Sequence, residues 1–249
     1  MRILSDRFLR SSPREVYWSA AKLGNELVGL NAHGSAPFRP HARRDLARYV
    51  FGTVRPIDGE TETRARSAAR WLLRAQAATP DHGVSLGYFP WDRGGSRWRP
   101  SYPETTGYII TSLLLFSERF GDPTFRQAAL RMARWEIEVQ MPSGAVQGGP
   151  VCPPERQTPA AFNTGMVLDG WCSAYERENS EDILAAARRA ANFLVADLDE
   201  HGYYRTNGAF VSAGEIKTYT CLCAWAIYRF GNLVGEPKYR SAAIRSMSR

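Results

Sequence analysis

The chain has little that would commit it to metal, redox or membrane chemistry. Its 249 residues include four cysteines, Cys152, Cys172, Cys221 and Cys223, with no Cys-x-x-Cys and no close histidine pair. A zinc site is therefore not expected. Cys221 and Cys223 stand two apart on a predicted helix, where side chains point in different directions and do not share a ligand. Met1 to Leu9 lacks the apolar core of a signal peptide, and no run approaches the roughly 20 apolar residues of a membrane span. The expectation is a soluble cytoplasmic protein with no metal and no cofactor. No zinc-finger spacing or aromatic RNP-like strand accompanies the net charge of +7, so nucleic acid is not an expected partner. A basic excess carried mostly by arginine suits anionic partners such as uronic-acid sugars or diphosphates. Arg126, Arg131 and Arg134 also have a plainer reading, as the solvated outer face of a helix.

What the chain does have is a repeat. Three segments step from threonine into an apolar run: Thr106-Gly107-Tyr108-Ile109-Ile110, Thr164-Gly165-Met166-Val167-Leu168 and Thr220-Cys221-Leu222-Cys223-Ala224. Their second residues are 165 − 107 = 58 and 221 − 165 = 56 apart, slightly above the usual repeat periods. Each run ends in a polar break: Gly121-Asp122-Pro123, Asn179-Ser180-Glu181-Asp182 and Gly235-Glu236-Pro237. An Ala/Arg-rich amphipathic stretch follows each break, Phe125 to Val139, Ile183 to Ala196 and Tyr239 onward. In the first two, Trp135 and Phe193 are each followed nine positions later by a turn glycine, Gly144 and Gly202. Each unit therefore predicts two helices and a long return loop.

The remaining segments frame this array. Residues 1–55 do not join the repeat and are expected to form a helical extension, with one helix opening at Ser12-Pro13 and a second over 43–51. Residues 56–249 form the repeat region. From Glu60 to Gln76, the spacing of Ala65, Ala68, Trp71, Leu72 and Ala75 predicts an amphipathic helix, the second half of a hairpin. At the other end, the counterpart of Trp135 would fall on Arg249. The last unit is therefore expected to be unfinished, which leaves open a truncated reading frame, a fragment, or self-association or a partner chain completing the ring.

The first helix of each hairpin is apolar on more than one side, as in Ile109, Ile110, Leu113, Leu114, Leu115 and Phe116, whereas the second carries a single stripe. Helices apolar all round are buried, and striped ones face water, so an inner and an outer layer are expected. With the phrases Tyr102-Pro103-Glu104-Thr105-Thr106-Gly107-Tyr108 and Asn163-Thr164-Gly165, the chain resembles the (α/α) toroid. That fold occurs in six-hairpin glycosidase-like proteins, sugar 2-epimerases, and terpene-cyclase and prenyltransferase toroids. The phrases are similar to those of toroid proteins of bacterial polysaccharide metabolism. The resemblance implies an all-α, incomplete toroid of about three to four hairpins. The aspartate-rich DxDD motif and repeated Gln-Trp motifs of terpene cyclases are missing, and so is a zinc ligand set, which leaves carbohydrate chemistry.

In such a ring the inner helices begin at one mouth, lined by loops 83–104, 144–162 and 202–217. The first loop carries Trp91, Asp92, Arg97 and Trp98. Aromatic faces suit sugar C–H groups, arginine pairs with carboxylates, and helix N-termini add partial positive charge. Trp91 and Trp98 could equally pin the loop to the core. Glu104 is the foremost acid/base candidate, beside Tyr102, although Ser101-x-x-Glu104 and Ser212-x-x-Glu215 both fit a capping box. Asp169 interrupts an apolar run, so it must be paired, wet or functional. Asn163, Lys217 and Tyr219 stand at the other mouths as binding candidates. His82-Gly83 and His201-Gly202 read as helix-end caps.

The functional expectation is a carbohydrate-active protein that acts on or binds an anionic saccharide. Glu104, Asp169 or Tyr102 would move protons, and hydrolase, epimerase and lyase chemistry all stay open. The alternatives are a non-catalytic scaffold or saccharide-binding module, and an isoprenoid-binding toroid.

Overall fold

A computed structural model of the chain describes residues 61–89, 97–209 and 217–248. The expected extension over 1–55, the candidates Trp91 and Asp92, and Ser212 and Glu215 lie outside the described residues. Residues 64–87, 98–209 and 217–248 form one compact unit, whereas 61–63, 88, 89 and 97 belong to a second.

Seven α-helices and no strands are found among the described residues. They are α1 (Thr61–Ala77), α2 (Pro103–Phe120), α3 (Pro123–Val139), α4 (Ala161–Glu178), α5 (Glu181–Asp197), α6 (Cys221–Val234) and α7 (Pro237–Met247). Hairpins α2/α3, α4/α5 and α6/α7 close where the sequence breaks predict. Gly121, Asn179 and Gly235 take the left-handed conformation just past their helices. Pro123 and Pro237 open the next helices in the first turn, where their missing amide costs nothing. Asp122 caps α3 by accepting from the Thr124 amide at 2.9 Å.

The inner layer is α2, α4 and α6, each packed on the next in chain order. Glycine sets their separation. A Cβ on Gly107 would lie 2.8 Å from the Met166 carbonyl oxygen and the Val167 Cα, and one on Gly165 would lie 2.8 Å from Cys223 Sγ. The Thr-Gly step is thus a contact device: the glycine of one unit admits the residue two positions past the corresponding step of the following unit. The threonines work at right angles to it. Thr106 Oγ1 donates to the Tyr102 carbonyl at 2.8 Å and accepts from the Val84 amide at 2.9 Å. Thr164 repeats both bonds with Ala160 and Val146, each at 2.8 Å. Each hydroxyl ties the loop before an inner helix to that helix's first turn.

The outer helices α1, α3, α5 and α7 bury one stripe each, rich in alanine: Ala128, Ala129 and Ala133 in α3, and Ala186, Ala187, Ala190 and Ala191 in α5. Small residues let the layers approach, and the buried Trp171 indole donates to the Ala133 carbonyl at 2.9 Å, joining α4 to α3. A glutamine at the end of an outer helix stitches the layer laterally. The Gln76 amide donates to the carbonyls of His82 and Ala128, and that of Gln140 to Gly144 and Ala186. Gly144 and Gly202, at φ +86° and +85°, rest on the backbone of Arg189 in α5 and Arg245 in α7.

Candidate functional site

The inner helices are parallel and in register, so their N-termini share a rim. None is capped by a side chain: the residues before α2, α4 and α6 are Tyr102, Ala160 and Thr220. The first turns carry the positive end of the helix dipole, although α2 opens on Pro103 and the Ala161 and Cys221 amides already donate to backbone carbonyls. The capping box allowed by Ser101-x-x-Glu104 does not form. Pro103 occupies the first helical position, which moves the cap to Tyr102, and Ser101 Oγ turns instead to Asp81 Oδ1 at 2.5 Å.

Glu104 is therefore left facing the rim, and Tyr102 Oη donates to its Oε2 at 2.6 Å. Burial, then the hydrogen bond to Glu104 and its charge, push the Tyr102 phenol well above its ordinary range, against a weaker opposing hydrogen bond with Asn163. Asn163 is itself fixed, its amide donating to the Gln147 carbonyl at 2.9 Å. One turn beyond Glu104, burial and then the Glu104 charge push the Tyr108 phenol up to about 12. Tyr102, Glu104, Asn163 and Tyr108 thus form one group across α2 and α4.

An aromatic row continues it. The Tyr108 and Phe162 ring centroids are 6.4 Å apart, and those of Phe162 and Tyr219 are 4.7 Å apart and nearly perpendicular. Each inner helix or its leading turn supplies one ring, and Tyr108 and Tyr219 remain 42% and 45% exposed. Tyr219 was legible as a mouth residue. Phe162 was not singled out, although its place directly before Asn163 was the available signal.

Asp169 stands elsewhere. It lies six residues beyond Asn163, about 9 Å further along α4 at the helical rise. Its Oδ1 accepts from Arg229 at 2.8 Å, and Thr111 Oγ1 reaches its Oδ2 at 3.4 Å. Arg229 also donates to Ser173 Oγ at 2.9 Å and to Glu176 at 2.6 Å, and Thr111 and Ser173 share a bond of 2.7 Å. Of the alternatives read from sequence, the paired one is what the geometry provides.

The other candidates have individual settings. Trp98 packs on the core with its ring 5.0 Å from that of Trp71, the loop-pinning arrangement. Arg97, in the second unit, donates to Tyr88 Oη at 3.2 Å. The Lys217 carbonyl accepts from the hydroxyl of Thr220 at 2.5 Å. His82 and His201 lie in turns five and four residues past the ends of α1 and α5. They are turn residues, His82 at φ +71°, and do not cap those helices. No group of three or more His, Cys, Asp or Glu able to hold a metal occurs among the described residues.

No family model matches the chain, and no curated protein matches it significantly. Solved structures do match, and they place the fold among the (α/α) toroids. The unsaturated glucuronyl hydrolase of Bacillus sp. GL1, described as responsible for the degradation of glycosaminoglycan, is similar at 15% identity and a TM-score of 0.62, over 77% of this chain and 56% of that one. An unsaturated glucuronyl hydrolase specific for heparin matches at 18% identity and a TM-score of 0.56, over 74% and 45%. The Lin0763 protein of Listeria innocua matches at 15% and 0.56, over 82% and 57%. At such identities the likeness defines the fold, an incomplete (α/α) toroid. The chain spans about half the length of these structures.

Proposed function

We propose that the rim of the inner helices binds an anionic saccharide, with Glu104 as its acid/base group. The observation that carries this reading is the Tyr102–Glu104 pair at 2.6 Å, set among uncapped helix N-termini and beside the row Tyr108, Phe162 and Tyr219. Flat aromatic faces take sugar C–H surfaces, the positive helix ends favour a carboxylate, and a carboxyl held by a phenol is positioned to exchange a proton with a bound sugar. Two of the similar structures are glucuronyl hydrolases, which supports the uronic-acid class for the ligand. Asn163 would orient the sugar, and Tyr219 and Lys217 would hold its far side. Trp91, Asp92, Arg97 and Trp98 are proposed as further ligand-binding side chains. Asp169, tied to Arg229, would act at one remove by fixing the inner helices. Ordinary two-carboxyl hydrolysis requires a second carboxyl about 5 to 9.5 Å from the first. Asp169 is held by Arg229, and Asp92 and Glu215 lie outside the described residues, so hydrolase, epimerase and lyase chemistry all stay open. Four free cysteines suit a reducing compartment.

The test is a screen of uronic-acid oligosaccharides for binding and turnover with wild type, Glu104→Gln and Asp169→Asn. Glu104→Gln should keep binding and lose turnover by about 100-fold or more, while Asp169→Asn should chiefly lose stability. Binding without turnover by the wild type would make the protein a saccharide-binding module. No binding by folded wild type would reject the reading.

A further inference from the structure

Behind the rim, the outer helix α3 buries an acid that no neighbour satisfies. Glu136 is 0% exposed, and neither of its carboxyl oxygens has a hydrogen-bond partner. It follows Trp135, whose ring fills the space beside Gly83, where a Cβ would come within 2.6 Å of it. The one charged group acting on Glu136 among the described residues is a second carboxyl, Asp81. Asp81 is not idle: its Oδ1 accepts from the Gly83 amide at 3.2 Å and from Ser101 Oγ at 2.5 Å. Ser101 precedes Tyr102, whose amide donates to the Val84 carbonyl at 2.9 Å. Trp135, the neighbour of Glu136 in α3, therefore packs against the Gly83 turn in which Asp81 holds Ser101, the residue before the one that holds Glu104.

We infer that Glu136 is kept inside α3 as its neutral acid, and that loss of its proton to solvent releases the Asp81–Ser101 clamp beneath Tyr102, making the pair a pH-responsive latch. A bare carboxylate with no donor cannot be sustained in an apolar interior, and the Asp81 charge adds repulsion to a second negative charge. Burial, and after it the Asp81 charge, accordingly drive the Glu136 proton affinity well above the ordinary carboxyl value. The sign follows from that direction. The folded state binds the proton more tightly than the unfolded state, so stability is full below the ordinary carboxyl range and is lost as pH rises toward the folded value.

The full-length protein tests this by infrared spectroscopy, thermal melting and amide exchange. Wild type at about pH 7 should show the carbonyl band of a protonated carboxylic acid, and the near-isosteric Glu136→Gln should lack it. Between about pH 6 and pH 9 the wild-type melting temperature should fall by about 5 °C relative to that of Glu136→Gln. Asp81→Asn, which removes the repelling charge, should move the start of the band's loss to lower pH. The Val84 and Tyr102 amides should exchange faster once the band is lost. A missing band, parallel melting curves, an unmoved midpoint in Asp81→Asn, or unchanged exchange after loss of the band would each overturn the latch.

Discussion

The two ends of the inner helices present the same ingredients in opposite states. At the rim, Glu104 is held by a phenol, the helix starts are uncapped and two tyrosine rings stand partly in water. Further along α2, α4 and α6, Asp169, Glu176, Ser173 and Thr111 are all drawn together, with Arg229 as their hub. A carboxylate paired with a guanidinium and further hydrogen bonds gains strength from partial burial. The same pairing occupies oxygens that a ligand would otherwise meet. A carboxyl bonded to one phenol retains the freedom to meet a ligand, so the difference between these ends lies in partners rather than in residue type.

The largest effect expected is one that removes the comparison altogether. Gly107→Val places a branched side chain against the backbone of Met166 and Val167, where nothing flexible can give way. It should cost about 3 kcal/mol and disorganise both ends together, read as a lowered urea midpoint with the loss of any saccharide binding. Arg229→Met attacks one end only. It leaves Asp169 and Glu176 without their cation and should cost about 2 kcal/mol, less than a fully buried pair because the site is partly wet. Saccharide affinity of the folded protein should hold. Adding Asp169→Leu should recover much of the loss, and strict additivity of the two changes would argue against the pairing. The smallest effect sharpens the rim. In a spectrophotometric titration, Tyr108 should ionise near 12, and Glu104→Gln should lower that midpoint by removing the second of its causes while burial persists. Because the folded state holds this proton more tightly, the associated stability is present below about pH 10 and is lost as pH rises from there toward 12.

The repeat, the helices and the two layers could be read from the sequence because they rest on spacing. The Thr-Gly steps, the polar breaks and the apolar faces all recur within one unit, and the left-handed residues at Gly121, Asn179 and Gly235 occupy the breaks they announce. The site was legible where its members stand close in sequence, as Tyr102 and Glu104 do. Pairings across units were not. Arg229 is 60 residues from Asp169, and no local pattern names it. Gln76 and Gln140 read as ordinary polar helix ends, yet each joins two outer helices. The burial of Glu136 has no signal in the sequence, because the width of a buried stripe cannot be judged without knowing what packs against it. The capping box failed for a local reason, since Pro103 takes the position that would otherwise leave Ser101 as the cap.

The forward-leaning loops carry a consequence for how the protein matures on the ribosome. The Ser101 carbonyl is met by the Val151 amide, the Ala161 amide by the Thr206 carbonyl, and Gly144 and Gly202 settle on the outer helix of the hairpin that follows. Each stretch of rim is therefore completed by polypeptide synthesised some fifty residues later, 151 − 101 = 50 and 206 − 161 = 45. Nascent hairpins emerge with their rim edge still unset, and each stretch of rim matures one unit behind translation.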